Sequence, residues 1–152
     1  MPFVPAAYAK RFSDLVVHEI DPSVGYSRRD INITPPAADA TVELGTVVFR
    51  ARTSDLTAPY AVLTAAALSE DNEFAVVYGD EFSFNPSFVP RAIAEGQYNG
   101  VGFVGTSGGL QLKEYYIKQV AQDEDGAALT DEQFETLKGL LEAQGIQVLK
   151  TV

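Results

Sequence analysis

The sequence predicts a mainly β domain of the α+β class: a small β-barrel or β-sandwich-like body with one or two short helices, preceded by an extended N-terminal arm. Three stretches carry that expectation. Residues 41–52 (TVELGTVVFRAR) combine β-branched and aromatic side chains, which suit a pleated, partly buried surface. Residues 74–78 (FAVVY) form a short continuous apolar run bounded by turn residues, the pattern of a buried strand. Residues 129–145 carry start and stop signals of a single helix.

The N-terminal stretch is polar and punctuated by proline. Pro2 and Pro5 among small alanines read as a loose lead-in. Residues 12–20 (FSDLVVHEI) alternate as an extended segment, with Leu15, Val17 and Glu19 on one side and Val16, His18 and Ile20 on the other. Asp21-Pro22-Ser23 reads as a turn. Residues 27–33 (SRRDINI) read as a second extended piece, and Pro35-Pro36 as a linker, because proline cannot continue a hydrogen-bonded ladder. The chain therefore divides into an arm, 1–38, and a β-rich body, 39–152.

In the body, residues 41–52 are the expected first strand, with Gly45 marking a bulge or a close backbone approach. Residues 60–68 are apolar, but their alanines leave strand and helix open. Residues 82–88 place three phenylalanines around Asn85-Pro86, which suggests aromatic packing at a turn. Residues 101–104 read as a short strand, 106–109 as a glycine-rich turn, and 110–120 as a longer strand with imperfect alternation. Thr130 and Gln133 have the spacing of a capping box, and Leu129 and Phe134 that of a hydrophobic staple. Phe134, Leu137 and Leu141 then make an apolar stripe, so a helix is expected over about 131–143, ended by Gly145 and followed by a final strand over 146–152.

Composition narrows the function. The chain has 152 residues, 46% hydrophobic and 21% charged, enough for one core-bearing domain. With 21 acidic and 11 basic side chains its net charge is −10, which disfavours phosphate backbones and favours a basic or mixed docking surface. The absence of cysteine removes disulfides, thiolate catalysis and cysteine-zinc sites. No run approaches the ~18 apolar residues of a membrane helix, and no signal-peptide pattern opens the chain, so a soluble protein made in the cytosol is expected. Seven tyrosines and nine phenylalanines divide between core, surface and any subunit interface in a way the sequence does not reveal.

Motifs for chemistry are weak. Gly100, Gly102 and Gly105 match G-x-G-x-x-G, but they lead into a glycine-rich turn rather than the helix that would hold a pyrophosphate. His18 is the sole histidine and sits in the arm, where a structural or interface role outweighs catalysis. Asp123, Glu124 and Asp125 lack EF-hand spacing and read as a solvated turn. No catalytic residue, metal site or cofactor is expected.

In this order of motifs the chain resembles the head decoration (capsid-stabilising) proteins of tailed bacteriophages, the group related to the decoration protein of phage lambda. The residues that carry the resemblance are Val17-His18-Glu19-Ile20, Gly25-Tyr26-Ser27-Arg28 and Ile31-Asn32-Ile33 in the arm. Leu44-Gly45-Thr46-Val47-Val48 follows at the start of the β domain, and an amphipathic helix before Gly145-Ile146-Gln147-Val148 ends it. The stretch over about 72–118 is longer and more aromatic than the pattern. The resemblance implies a non-enzymatic cement on the outer capsid surface of the virion. Such a protein bridges neighbouring major capsid proteins, commonly as a homotrimer, with neither nucleic acid nor membrane as partner. An arm of that kind orders on the shell, at a cost of about 1–2 kcal/mol per residue, by adding a strand to an exposed sheet edge. Phe12, Val16, His18, Ile20, Tyr26, Ile31 and Ile33 are the candidate contacts, and Arg28 and Arg29 would pair with shell carboxylates. A tail or baseplate adaptor, or a fibre-attachment module, is the alternative virion role. A small hydrolase or ligand-binding barrel with a carboxylate site would instead require a concave polar pocket.

Overall fold

The computed structural model describes residues 15–19, 28–34, 42–79, 87–88, 91–94, 97–105, 110–123 and 127–150. Its centre is a closed five-stranded barrel. The barrel strands are β2 (Arg28–Thr34), β4 (Val47–Ala51), β5 (Tyr60–Val62), β6 (Asn72–Gly79) and β9 (Gln97–Phe103). They run in the order β2-β5-β4-β6-β9, and β9 pairs back onto β2 to close the circle. The β2–β5 pair is parallel, and the other barrel pairs are antiparallel. Strand β8 (Arg91–Ala94) extends the sheet beside β9. A second sheet of three strands joins β1 (Val16–Glu19), β10 (Leu110–Lys113) and β11 (Ile146–Leu149). Two short strands, β3 (Val42–Glu43) and β7 (Ser87–Phe88), pair separately.

Two cores follow from strand alternation. Ile31, Ile33, Val48, Tyr60, Ala75 and Val77 fill the barrel. Their sequence neighbours Val47, Phe74 and Val76 face outward into a larger core. There they join Leu15, just before β1, Leu110, Leu112, Ile146 and Val148 from the second sheet, and Tyr116, Ile117, Phe134, Leu137 and Leu141 from two helices. Strand β6 is thus buried on both faces over 74–77, which is why that run is continuously apolar rather than alternating. The barrel is narrow enough that a Cβ at Gly102 would stand 2.7 Å from Ile31 Cδ1, so small residues on β9 make room for the large ones on β2.

Helix α2 (Asp131–Ala143) forms as its local signals dictate. Gln133 N donates to Thr130 Oγ1 at 3.2 Å and Thr130 N to Gln133 Oε1 at 2.9 Å, the reciprocal bonds of a capping box. Leu129 and Phe134 are both buried in the larger core. Gly145, at φ +87°, turns the chain into β11. Gly139 is exposed, with nothing within 4 Å of an added Cβ. Gly139→Ala is therefore expected to raise stability by about 0.5–1 kcal/mol in urea denaturation, through helix propensity alone.

Gly45 is the predicted close approach: its φ is +89°, and a Cβ there would lie 2.5 Å from Tyr116 Cε1. The Tyr116 hydroxyl donates to Leu44 O at 2.8 Å, locking the turn between β3 and β4 onto the helix below. Residues 60–68, left open between strand and helix, split into β5 and a single 3₁₀ turn, Ala65–Ala67.

Three expectations are corrected. The single strand expected over 41–52 is broken at the Gly45 turn into β3 and β4, which lie in different sheets. The strand expected over 110–120 stops at Lys113, and Glu114–Val120 is a helix, α1. Leu110 and Leu112 alternate, but Tyr116 and Ile117 are adjacent and both buried, as one face of a helix allows and a strand facing one core does not. The arm without a home in its own chain is corrected for residues 15–19 and 28–34. Strand β1 pairs with β10, strand β2 is a wall of the barrel, and Leu15, Ile31 and Ile33 are almost fully buried. A boundary near residue 38 therefore does not separate two folding units. These segments hold too few apolar groups for a core of their own, but enough to complete two others.

No helix among the described residues is long and apolar enough to cross a membrane. The turns expected over 106–109 and about Asn85-Pro86 lie outside the described residues, and the strand expected over 146–152 ends at Leu149.

Candidate functional site: an edge strand and a barrel-mouth cleft

The predicted contact residues separate into distinct environments. Phe12, Ile20 and Tyr26 lie outside the described residues. Ile31 and Ile33 are corrected: both are buried in the barrel interior of their own chain. Arg28 is also corrected as a free cation for a shell carboxylate. Its Nε donates to Glu19 Oε1 at 2.8 Å and its Nη2 to Glu19 Oε2 at 2.7 Å. Glu19 is buried, so a bidentate guanidinium is what makes its charge tolerable. The pair ties β1 to β2, and the Arg28 guanidinium also lies 5.9 Å from the Phe103 ring centroid.

Val16 and His18 do lie at a surface element. Strand β1 is the end strand of its sheet, paired with β10 on one side only among the described strands. Val16 packs partly against the larger core, while Val17 and His18 are exposed. Val17 is 42% exposed, unusual for a β-branched side chain on a strand that joins a core. The ladder slips between Val16 and His18, an irregularity of the kind that ends or redirects pairing at a sheet edge.

Arg29 belongs to the other feature, a polar cleft of about 250 Å³ at one end of the barrel, where β2, β5 and β6 begin and β4 and β9 end. Arg29, Arg52, Tyr60, Glu73 and Gln144 are among its lining residues. Alternation explains the charge there: Arg50 and Arg52 continue the inward parity of Val48, and Glu73 that of Ala75. Arg50 and Glu73 are cross-strand partners and form an ion pair through Arg50 Nε. Arg50 also donates to Ala58 O at 2.8 Å and Asp55 O at 3.2 Å, and stacks 4.4 Å from the Tyr60 ring centroid. Asp55 in turn accepts from the Thr57 hydroxyl, which holds its carboxyl below the ordinary range. Burial pushes the Tyr60 hydroxyl up, against the opposing fields of Arg50 and Arg29.

The floor of the cleft is closed by Gln144. Strand β6 pairs with β9 only from Val76 onward, which leaves Phe74 without a strand on that side. The Gln144 side chain substitutes for one: Phe74 N donates to its Oε1 and its Nε2 donates to Phe74 O, each at 2.7 Å. None of Arg50, Arg52, Glu73 or Gln144 is singled out by a sequence motif. The legible signal is parity, since Arg50 falls on the inward register of a strand whose other inward residue is apolar.

Among the described residues no group of three or more histidines, cysteines or carboxylates is placed to hold a metal ion. Comparison with family models, with curated proteins and with solved structures found no match.

Proposed function

We propose that the chain is a structural component of a virus particle, a decoration protein that binds the outside of an expanded bacteriophage head and bridges neighbouring major capsid proteins. The reading rests on the resemblance carried by 17–20, 25–28, 31–33, 44–48 and 145–148. The observation that supports it most is that β1 pairs on one side only among the described strands, with Val17 and His18 exposed. A preformed strand edge lets a shell segment add to the sheet without the ordering cost of a free arm. The net charge of −10 favours docking on a basic or mixed surface and keeps free copies apart. Homotrimers about local threefold axes belong to the same proposal. Many copies on a closed shell then multiply a modest single-site affinity.

Val17→Lys tests the edge. A lysine blunts strand addition, and at an exposed position it changes stability by no more than about 0.5 kcal/mol. Sedimentation with expanded heads is expected to show binding weakened at least about tenfold, or about 1.4 kcal/mol, with an unchanged melting transition. Equal binding by Val17→Lys would remove β1 from the interface.

A further inference from the structure

We propose that the barrel mouth is a binding site for an oxyanion, a carboxylate or phosphate group held between the guanidinium groups of Arg29 and Arg52 with the Tyr60 hydroxyl as a further donor. The inference is independent of the shell-binding reading. It begins with how the three cations of this end of the barrel are occupied. Arg50 is pinned by Glu73, two carbonyls and the Tyr60 ring, so its charge is already matched. Arg52 gives one N–H to Glu70 O at 2.8 Å and keeps its remaining donors. The Arg29 side chain forms no hydrogen bond or ion pair with the described residues. It nevertheless occupies the inward parity of β2, in line with Ile31 and Ile33, and is only partly exposed.

A guanidinium partly withdrawn from water with no ion-pair partner among the described residues is unfavourable, and an external anion restores the balance. The fork geometry of arginine suits two-oxygen acceptors, carboxylate and phosphate alike. The cleft volume, about 250 Å³, fits a small anion or one group of a larger ligand rather than a nucleotide. The site also stands out against its setting, because two arginines line one cleft, with Glu73 engaged by Arg50, on a chain of net charge −10.

The test is calorimetric titration of the whole chain at low ionic strength with inorganic phosphate and, separately, with succinate. At least one anion is expected to bind saturably, with a dissociation constant of about 1 mM or tighter. Arg29→Gln and the more exposed Arg52→Gln should each weaken that binding about tenfold or more, whereas Lys150→Gln, a surface cation elsewhere, should leave it unchanged. Tighter phosphate would assign a phosphorylated ligand, and tighter succinate a carboxylate supplied by an organic acid or an acidic side chain. The proposal is overturned if neither anion saturates by about 50 mM, or if Lys150→Gln weakens binding as much as the cleft variants do.

Discussion

A chain lacking residues 1–34 is expected not to fold. The deletion removes β1 and β2 together, and β2 is the strand that closes the barrel by pairing with β5 on one side and β9 on the other. Two barrel edges would open, and the interior would lose Ile31 and Ile33 while the larger core lost Leu15. Burying an aliphatic side chain contributes about 1.5–3 kcal/mol, so three account for roughly 5–9 kcal/mol. That is comparable to the whole stability of a domain this size, about 5–15 kcal/mol. The truncated chain should show no cooperative thermal transition and no fixed near-ultraviolet circular dichroism. A cooperative melt for residues 35–152 would mean that the N-terminal strands are accessories after all.

The second large effect is expected at Gly105. Its φ is +69°, and a Cβ built there would stand 2.4 Å from Gln144 O and 2.9 Å from Ile146 Cγ1. The nearer atom is backbone, so the clash cannot be relieved by turning a side chain. Relief requires moving the end of α2, and with it the Gln144 amide that pairs with Phe74 and also reaches Val104 O at 3.3 Å. Left-handed backbone costs an alanine about 1–2 kcal/mol, and overpacking adds about 1–3. Gly105→Ala should therefore lose about 3 kcal/mol, or roughly 6–12 °C in Tm. A loss below about 1 kcal/mol would show that the joint between helix and barrel yields easily. Gly139→Ala, in the same helix but facing open space, is the opposite case and should gain stability.

These cases mark what the sequence discloses. Local signals were legible: the capping box at Thr130 and Gln133, the stop at Gly145, the doubly buried strand about Val76, and the close approach at Gly45. Each depends on residues within a few positions of one another. Long-range pairing was not legible. Nothing near Arg28 announces that it faces Phe103 across a ladder, so two modest apolar segments read as an arm when they close a barrel and extend a second sheet. The switch from β10 to α1 at Lys113 was hidden by a short run in which strand and helix patterns overlap. The glycine pattern at 100, 102 and 105 resolves into barrel geometry. Gly100 and Gly102 face β2, and Gly105 abuts the end of α2. Of the candidate site, Val16 and His18 were read as contacts of an arm; alternation put Val17 with Leu15 and Glu19, but the slip between Val16 and His18 leaves Val17 and His18 both exposed. The cleft needed the barrel to bring Arg29, Arg52 and Tyr60 together.

The proposed decoration role is tested most directly by a cryo-electron microscopy reconstruction of the virus particle proposed to carry this chain. The account predicts density for it on the outer face of the expanded head, in contact with at least two major capsid proteins, with the free edge of β1 against a strand of the shell. Density confined to the tail or baseplate, or a head surface bearing none of this chain, would contradict it.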